Sequence, residues 1–361
     1  MRSELISPKR GPRASHLSSR AVTVAGVLVA GVVAASTVGA QPATPPAATP
    51  PAKAAEPAGA KKPLRIAYSD WPGWTAWEVA IQKGWFKEAG VDVEFSWFDY
   101  LPSLDAYSAG KVDAVTVTNG DGLVSGANGA KSKYILINDF SNGNDQIIAQ
   151  PGIKSLPELK GKKIGLELTL VDHLLLLQAL KKHKMQPTDV ELVNFPTNET
   201  PQALASGQVS AVAAWYPVSG QARKAVPGSK AIFSSADVPG LIYDTLAVNP
   251  TSLTQRKADW AKVVKVWYRV SDFVRDPKTQ KEAIAIMAAK VGVKPEEYAA
   301  ALPGTYFLSL AEAKKRYAKG DGLDSIYGST KLANEFNHAN KVYKAPEKIE
   351  DYIYPDFVLG M

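Results

Sequence analysis

Leu64-Arg-Ile-Ala-Tyr-Ser-Asp-Trp-Pro-Gly-Trp-Thr-Ala-Trp-Glu-Val-Ala-Ile-Gln-Lys-Gly-Trp-Phe-Lys-Glu-Ala-Gly90 is the stretch from which the rest of the chain can be read. Leu64 to Tyr68 is a β-rich run, Pro72 and Gly73 turn the chain, and Trp77, Ala80, Ile81, Gly84 and Trp85 then recur at helical spacing. A strand delivers a loop, and the loop starts a helix. In an open α/β sheet, ligands settle beyond the carboxyl ends of the strands, so Ser69, Asp70, Trp71 and Trp74 stand where a ligand would be met.

The chain repeats this unit at a near-constant offset of about a hundred residues. Leu64-Arg-Ile-Ala-Tyr-Ser corresponds to Lys162-Lys-Ile-Gly-Leu-Glu, and Val91-Asp-Val-Glu-Phe to Val190-Glu-Leu-Val-Asn. Ser108-Ala-Gly-Lys-Val-Asp-Ala-Val likewise corresponds to Ala205-Ser-Gly-Gln-Val-Ser-Ala-Val. Two βαβαβ units with right-handed crossovers imply an α/β protein of two lobes, each a mostly parallel sheet flanked by helices, with a cleft between the strand ends. Residues 63–147 plus 246–361 are expected to form lobe one and residues 148–245 lobe two. Everything after Thr254 is helical in pattern, starting with Trp260, Val263, Val264, Trp267, Val270 and Phe273. A boundary crossed twice gives two hinges, and hence a clamshell that closes on its ligand.

With 361 residues, 45% of them hydrophobic and 21% charged, the chain can bury an ample core. Of the formal charge of +7, Arg2, Lys9, Arg10, Arg13 and Arg20 against Glu4 place most at the extreme N-terminus, and no basic stripe follows. Nucleic acid is therefore not the expected partner. The basic start runs into the uncharged Ala21 to Ala40, which closes in Val38-Gly39-Ala40 and reads as a secretory signal over residues 1–40. An uncleaved membrane anchor is the alternative, since about 20 apolar residues can span a bilayer. Residues 41–62, rich in Pro and Ala, suit an extended tether. The absence of cysteine leaves neither a disulfide framework nor a thiol for lipid attachment. The mature protein is expected in the periplasm.

Catalytic and metal signatures are sparse. His173 and His183 lie ten residues apart on one expected helix, about 15 Å along its axis, which is too far to share a metal. No nucleophile elbow, phosphate loop or dinucleotide fingerprint occurs, so the chain reads as a binding protein without cofactor or metal and not as an enzyme. At the expected strand ends stand Asp70, Trp71, Trp74, Asp99, Tyr100, Asn119, Asp121, Glu167, Asp172, His173, Trp215, Tyr216, Tyr243 and Asp244, with no Arg or Lys among them. Carboxylates beside aromatic faces favour a cation or a neutral, donor-rich planar molecule over an oxyanion. Trp77 and Trp85 read as core from their spacing. Asp172 reads equally as a helix cap, and Trp215 as core or ligand contact.

From Leu64 to about Trp267 the chain resembles the solute-binding proteins of ABC importers of the nitrate/sulfonate/taurine type. The carrying segments are Ala80-Ile-Gln-Lys-Gly-Trp-Phe-Lys-Glu-Ala-Gly-Val, Ala109-Gly-Lys-Val-Asp-Ala, Ser155-Leu-Pro-Glu-Leu-Lys-Gly-Lys-Lys-Ile-Gly and Ala211-Val-Ala-Ala-Trp215. It is most similar to the subgroup linked with urea carboxylase, through Asp99-Tyr100, Thr118-Asn119-Gly120-Asp121, Asp139-Phe-Ser-Asn-Gly-Asn-Asp145, Leu166-Glu167-Leu168, His173 and Trp215-Tyr-Pro217. It departs from that subgroup at Phe98, Gly120 and Tyr216. The resemblance implies a type II periplasmic-binding fold, a small solute such as urea or a guanidinium compound, and a monomer serving a membrane permease and its cytoplasmic ATPase. It also implies a site role for Asn144 and Asp145, whose polar turn would otherwise read as surface. An organic sulfonate, taurine or nitrate is the alternative cargo, and a ligand-sensing module the alternative role. The same fold includes a pyrimidine-synthesising enzyme of thiamine metabolism that needs a cysteine-rich iron motif, which this chain lacks.

Overall fold

Leu64–Tyr68 forms strand β1 in the computed structural model, which describes residues 62–361. The signal expected over residues 1–40 and the tether up to residue 61 lie outside the described residues. Strand β1 is flanked on both sides, by β2 (Val93–Trp97) and β3 (Ala114–Thr118), both parallel to it. The further strands are β4 (Lys133–Ser141), β5 (Asp145–Ala149), β6 (Lys163–Leu166), β7 (Glu191–Asn194), β8 (Ala211–Trp215), β9 (Lys230–Ser234), β10 (Tyr243–Val248) and β11 (Thr305–Phe307).

These strands make two sheets, one of six in the order β11-β4-β10-β3-β1-β2 and one of five in the order β7-β6-β8-β5-β9. The internal repeat is visible in the register. Ile66 faces Ala114 and Ala67 faces Val115 in the first sheet, as Ile164 faces Ala211 and Gly165 faces Val212 in the second. Each parallel trio is extended by an antiparallel strand on the same side, β10 beside β3 and β5 beside β8. The chain leaves the first sheet after Ser141 and returns at Tyr243, a few residues before the boundaries expected from sequence.

The one helix expected after Pro72 is instead three short ones, α1 (Pro72–Thr75), α2 (Trp77–Gln82) and α3 (Trp85–Glu88). Gly84 interrupts them with a left-handed φ of 69°, a conformation no helix interior accommodates and one that glycine adopts without cost. Trp77 and Trp85 are core as expected, whereas Ile81, near the end of α2, is 37% exposed. Three more helices shape the cleft: α4 (Tyr100–Ser108), α5 (Asn119–Ala127) and α6 (Val171–Lys182). Helix α5 begins where the Thr118 hydroxyl accepts the Asp121 backbone N–H, an N-cap bond.

After Thr254 the pattern is not wholly helical. Thr305 and Phe307 point inward and Tyr306 outward in β11, which pairs with β4 at the sheet edge and is too short to show a period. The long helix Lys257–Arg275 does bury the expected Trp260, Val263, Val264, Trp267 and Val270, and Trp267 packs on Trp77 with ring centroids 4.6 Å apart. One apolar core is continuous through both sheets, with a small second cluster around Ile148, Leu204 and Val212. Among the described residues, no helix is long and apolar enough to cross a membrane.

Candidate functional site

The loop after β1 carries Asp70 and Trp71 into α1, and the absence of a side chain at Gly73 lets the Asp139 carboxyl approach. A Cβ on Gly73 would lie 1.6 Å from Asp139 Oδ2. The Trp71 indole N–H donates to Asp139 Oδ1 at 2.9 Å. Trp74 stacks on Tyr100 with centroids 5.3 Å apart, and Tyr100 stands edge-on to Trp215 at 5.3 Å. The Tyr100 hydroxyl donates to Asp121 Oδ2 at 2.7 Å, and the Trp215 indole N–H to Asp70 Oδ1 at 2.9 Å. That last bond joins the end of β8 in the second sheet to the loop leaving the first.

These rings enclose a narrow cavity lined by Trp71, Trp74, Tyr100, Thr118, Asp145, Val171, Trp215, Ile242 and Asp244. It holds about 230 Å³ of space between atoms, of which only about 10 Å³ admits the centre of a water-sized sphere. By the second measure an outer cleft of about 330 Å³ adjoins it, lined among others by Asp70, Asp99, Tyr100, Glu167, Thr197 and Trp215. Among the described residues, no Lys, Arg or His lines either space.

Seven of the carboxyls around the cavity and cleft share one electrostatic fate: Asp70, Asp121, Asp139, Asp145, Glu167, Asp172 and Asp244. Burial, which penalises the charged form, pushes each of them up. Asp70 and Asp145 reach about 6, and Asp121, Asp139 and Glu167 about 7. Asp172 and Asp244 rise well above the usual carboxylate range, raised further by their acidic neighbours. Several buried polar atoms have no hydrogen-bond partner among the described residues, including Trp74 Nε1, Asp145 Oδ2, Asp172 Oδ1 and Asp244 Oδ2. Among the described residues, no group of three or more His, Cys, Asp or Glu side chains is arranged to hold a metal ion.

A family described as NMT1/THI5 like matches residues 71–280, more than half of the chain and all of the loops just described apart from Asp70. The chain belongs to the NMT1/THI5-like family. Provisionally named binding proteins of Brucella abortus and Brucella suis are 32% identical to this family member over 177 residues, 48% of its length and 54% of theirs. The match thus spans about half the length of these curated relatives. Among solved structures, the periplasmic aliphatic sulphonate binding protein of Escherichia coli superposes with a TM-score of 0.68 at 18% identity, covering 83% of this chain and all of that one. The periplasmic nitrate-binding protein of Synechocystis gives 0.64 at 10% identity, covering 82% and 87%. This NMT1/THI5-like protein therefore has the periplasmic-binding-protein fold. A desulfurization enzyme shares the fold at 16% identity and a TM-score of 0.58, over 82% of this chain and 98% of its own.

In this NMT1/THI5-like chain, ten of the residues picked from sequence come together: Asp70, Trp71, Trp74, Tyr100, Asp121, Asp145, Glu167, Asp172, Trp215 and Asp244. Asp99 sits on the rim, accepting from Asn198 Nδ2 at 3.4 Å. Asp172 does not cap α6, whose cap position is Leu170; instead it shares the Thr197 hydroxyl with Glu167, at 3.4 and 3.0 Å.

Four residues lie apart. The Asn119 amide is spent on Ser329, Thr330 and the Tyr243 backbone N–H, bracing α5 against the helix Ile326–Ala339. Asn144 donates to the Ala301 carbonyl and to Thr305 Oγ1, and with Tyr216 lines a separate cavity next to Glu297. His173 faces Phe336 edge-on, with Nδ1 accepting from the Thr169 backbone and burial lowering its pKa.

Thr197 and Asp139 were not picked. Thr197 occupies the place in the second unit that the Asp99 loop has in the first, so the repeat could have found it. Asp139 belongs with Asp244 only through the β4–β10 register, for which the sequence carries no local signal.

Proposed function

We propose that this protein captures a small, planar, nitrogen-rich solute of the urea or guanidinium kind, as the extracytoplasmic binding component of an ABC importer. The observation that carries the reading is a cavity walled by Trp71, Trp74, Tyr100 and Trp215, edged by carboxyls, and free of basic side chains. Carboxylates accept charge-assisted hydrogen bonds from N–H donors, and indole and phenol faces attract cations, whereas an oxyanion would be repelled. The space between the rings is room for about one water as it stands, so a solute enters only as the rings part, and a molecule the size of urea or guanidinium asks less of them than a long sulfonate. Residues 63–147 with 246–361 and residues 148–245 act as two lobes in this reading. They close on the solute and present the closed form to the permease and its ATPase.

Thermal unfolding against guanidinium, urea, a short amine, taurine, an alkanesulfonate and nitrate tests it. A ligand at about 100 times its dissociation constant adds about 2.7 kcal/mol, a visible rise in midpoint. The expected rise is with guanidinium or urea; a rise only with taurine, sulfonate or nitrate overturns the reading. Asp70→Ala or Glu167→Ala is expected to weaken binding by roughly 1.5–3 kcal/mol, and unchanged affinity in both removes those carboxyls from the site.

A further inference from the structure

We propose that Asp139 and Asp244 form a proton-sharing pair that gives up its proton when a cation enters, so that the cavity selects a guanidinium-type monocation over its neutral isostere. This rests on the cleft being the solute site and narrows its cargo. The two residues are directly opposed on β4 and β10 and so share one face of the sheet, in a row that runs Phe307, Asp139, Asp244, Thr118. Both are fully buried, at 0% and 1% exposure. Asp244 lines the cavity, while Asp139 lies beneath Trp71, whose indole N–H is bonded to its Oδ1. Oδ2 of each carboxyl receives no hydrogen bond from an N–H or hydroxyl donor.

Among the described residues, the charged groups that act most strongly on the pair are themselves acids. Asp145 and Asp121 act on it from the cavity side, and Tyr298, whose hydroxyl is bonded to Thr75, faces Asp139. Arg316 stands over Phe140, one residue along β4, whose side chain takes the opposite face of the sheet. Two adjacent buried carboxyls without a cation cannot both ionise, so one proton stays between them. The Trp71 bond favours charge on Asp139, so the proton resides on Asp244. Burial and the Asp139 charge both point the same way, raising Asp244 well above the usual range. A cation at the cavity wall supplies the missing charge; the Asp244 proton then leaves to solvent, and the net charge of the cavity is unchanged. A neutral isostere brings no charge and displaces no proton.

The test has two arms on the full chain. The infrared difference between wild type and Asp244→Asn, without ligand near neutral pH, is expected to show the loss of one protonated-carboxyl stretch; Asp139→Asn, which leaves the proton-bearing carboxyl in place beside a new neighbour, is expected to shift that stretch without removing it. Thermal melts confirm that each variant is folded. No loss in folded Asp244→Asn, or an unmoved stretch in folded Asp139→Asn, overturns the pair. Calorimetric titration of wild type in two buffers of different ionisation enthalpy then counts protons: about one released per guanidinium bound, and none per urea. Guanidinium binding without proton release overturns this inference and leaves the solute reading standing. Failure of every donor-rich probe to bind overturns both.

Discussion

Carboxyls on the outer surface and carboxyls in the cleft are solvated in opposite ways. Outside, Asp113 takes the Arg65 guanidinium at 3.1 Å, Asp321 takes Lys331 at 2.8 Å, and Asp189 takes Lys160 at 3.1 Å. Inside, Asp121 takes a phenol, Asp70 an indole and Glu167 a threonine hydroxyl. The consequence is a difference of sign. Asp189 is held below its ordinary range by the Gln186 backbone N–H and by Lys160, whereas cleft carboxyls such as Asp121 and Glu167 are pushed above it. A chain that pairs acids elsewhere with cations and leaves those of the cleft to aromatic and hydroxyl donors has sacrificed stability at one place, which is the usual mark of a binding site.

That contrast can be broken most directly by pH. Asp121, Asp139 and Glu167 titrate near 7 when folded and near 4 when unfolded, so between those values the folded state holds protons the unfolded chain has lost. Stability present at about pH 4 to 5 is therefore lost as pH rises through about 7, by several kcal/mol over the set. Denaturant unfolding at about pH 5 and about pH 8 checks it, and a protein more stable at the higher pH defeats the electrostatic account. Gly73→Ala sharpens the comparison next. Its Cβ would collide with Asp139 and force apart the loop that carries Trp71 and Trp74, at a cost of about 2–3 kcal/mol and a loss of binding. The smallest effect belongs outside. Lys83→Ala, which removes a surface pair to Glu282 and a contact over the Phe273 ring, is expected to cost less than about 1 kcal/mol and to leave ligand affinity unchanged.

The fold was legible because repeated segments carry the same periodicity twice. The strands at Leu64, Lys163 and Ala211 need only local alternation and turn residues to be seen. What local pattern could not supply was the break at Gly84, where one glycine reads equally as a tolerated helix residue, and β11, whose three residues are too few to alternate. The cluster of carboxyls was visible as residue types at strand ends. The separation of Asn119 and Asn144 from it was not, since both amides are taken up by segments far along the chain, around Ser329 and Thr305. His173 failed for the related reason that one helix face turns toward Phe336 and not toward the cleft.

Strand β10 sits in the interior of the first sheet, between β3 and β4, yet follows all five strands of the second sheet in the chain. A growing chain therefore exposes an unfinished edge of β3 until about 125 further residues have followed it. The two halves cannot fold as independent beads on a string, and contacts of such long sequence separation slow the final assembly. Circular permutants opened between β9 and β10 would bring β10 ahead of β1, and refolding of the first sheet would then no longer wait on the second.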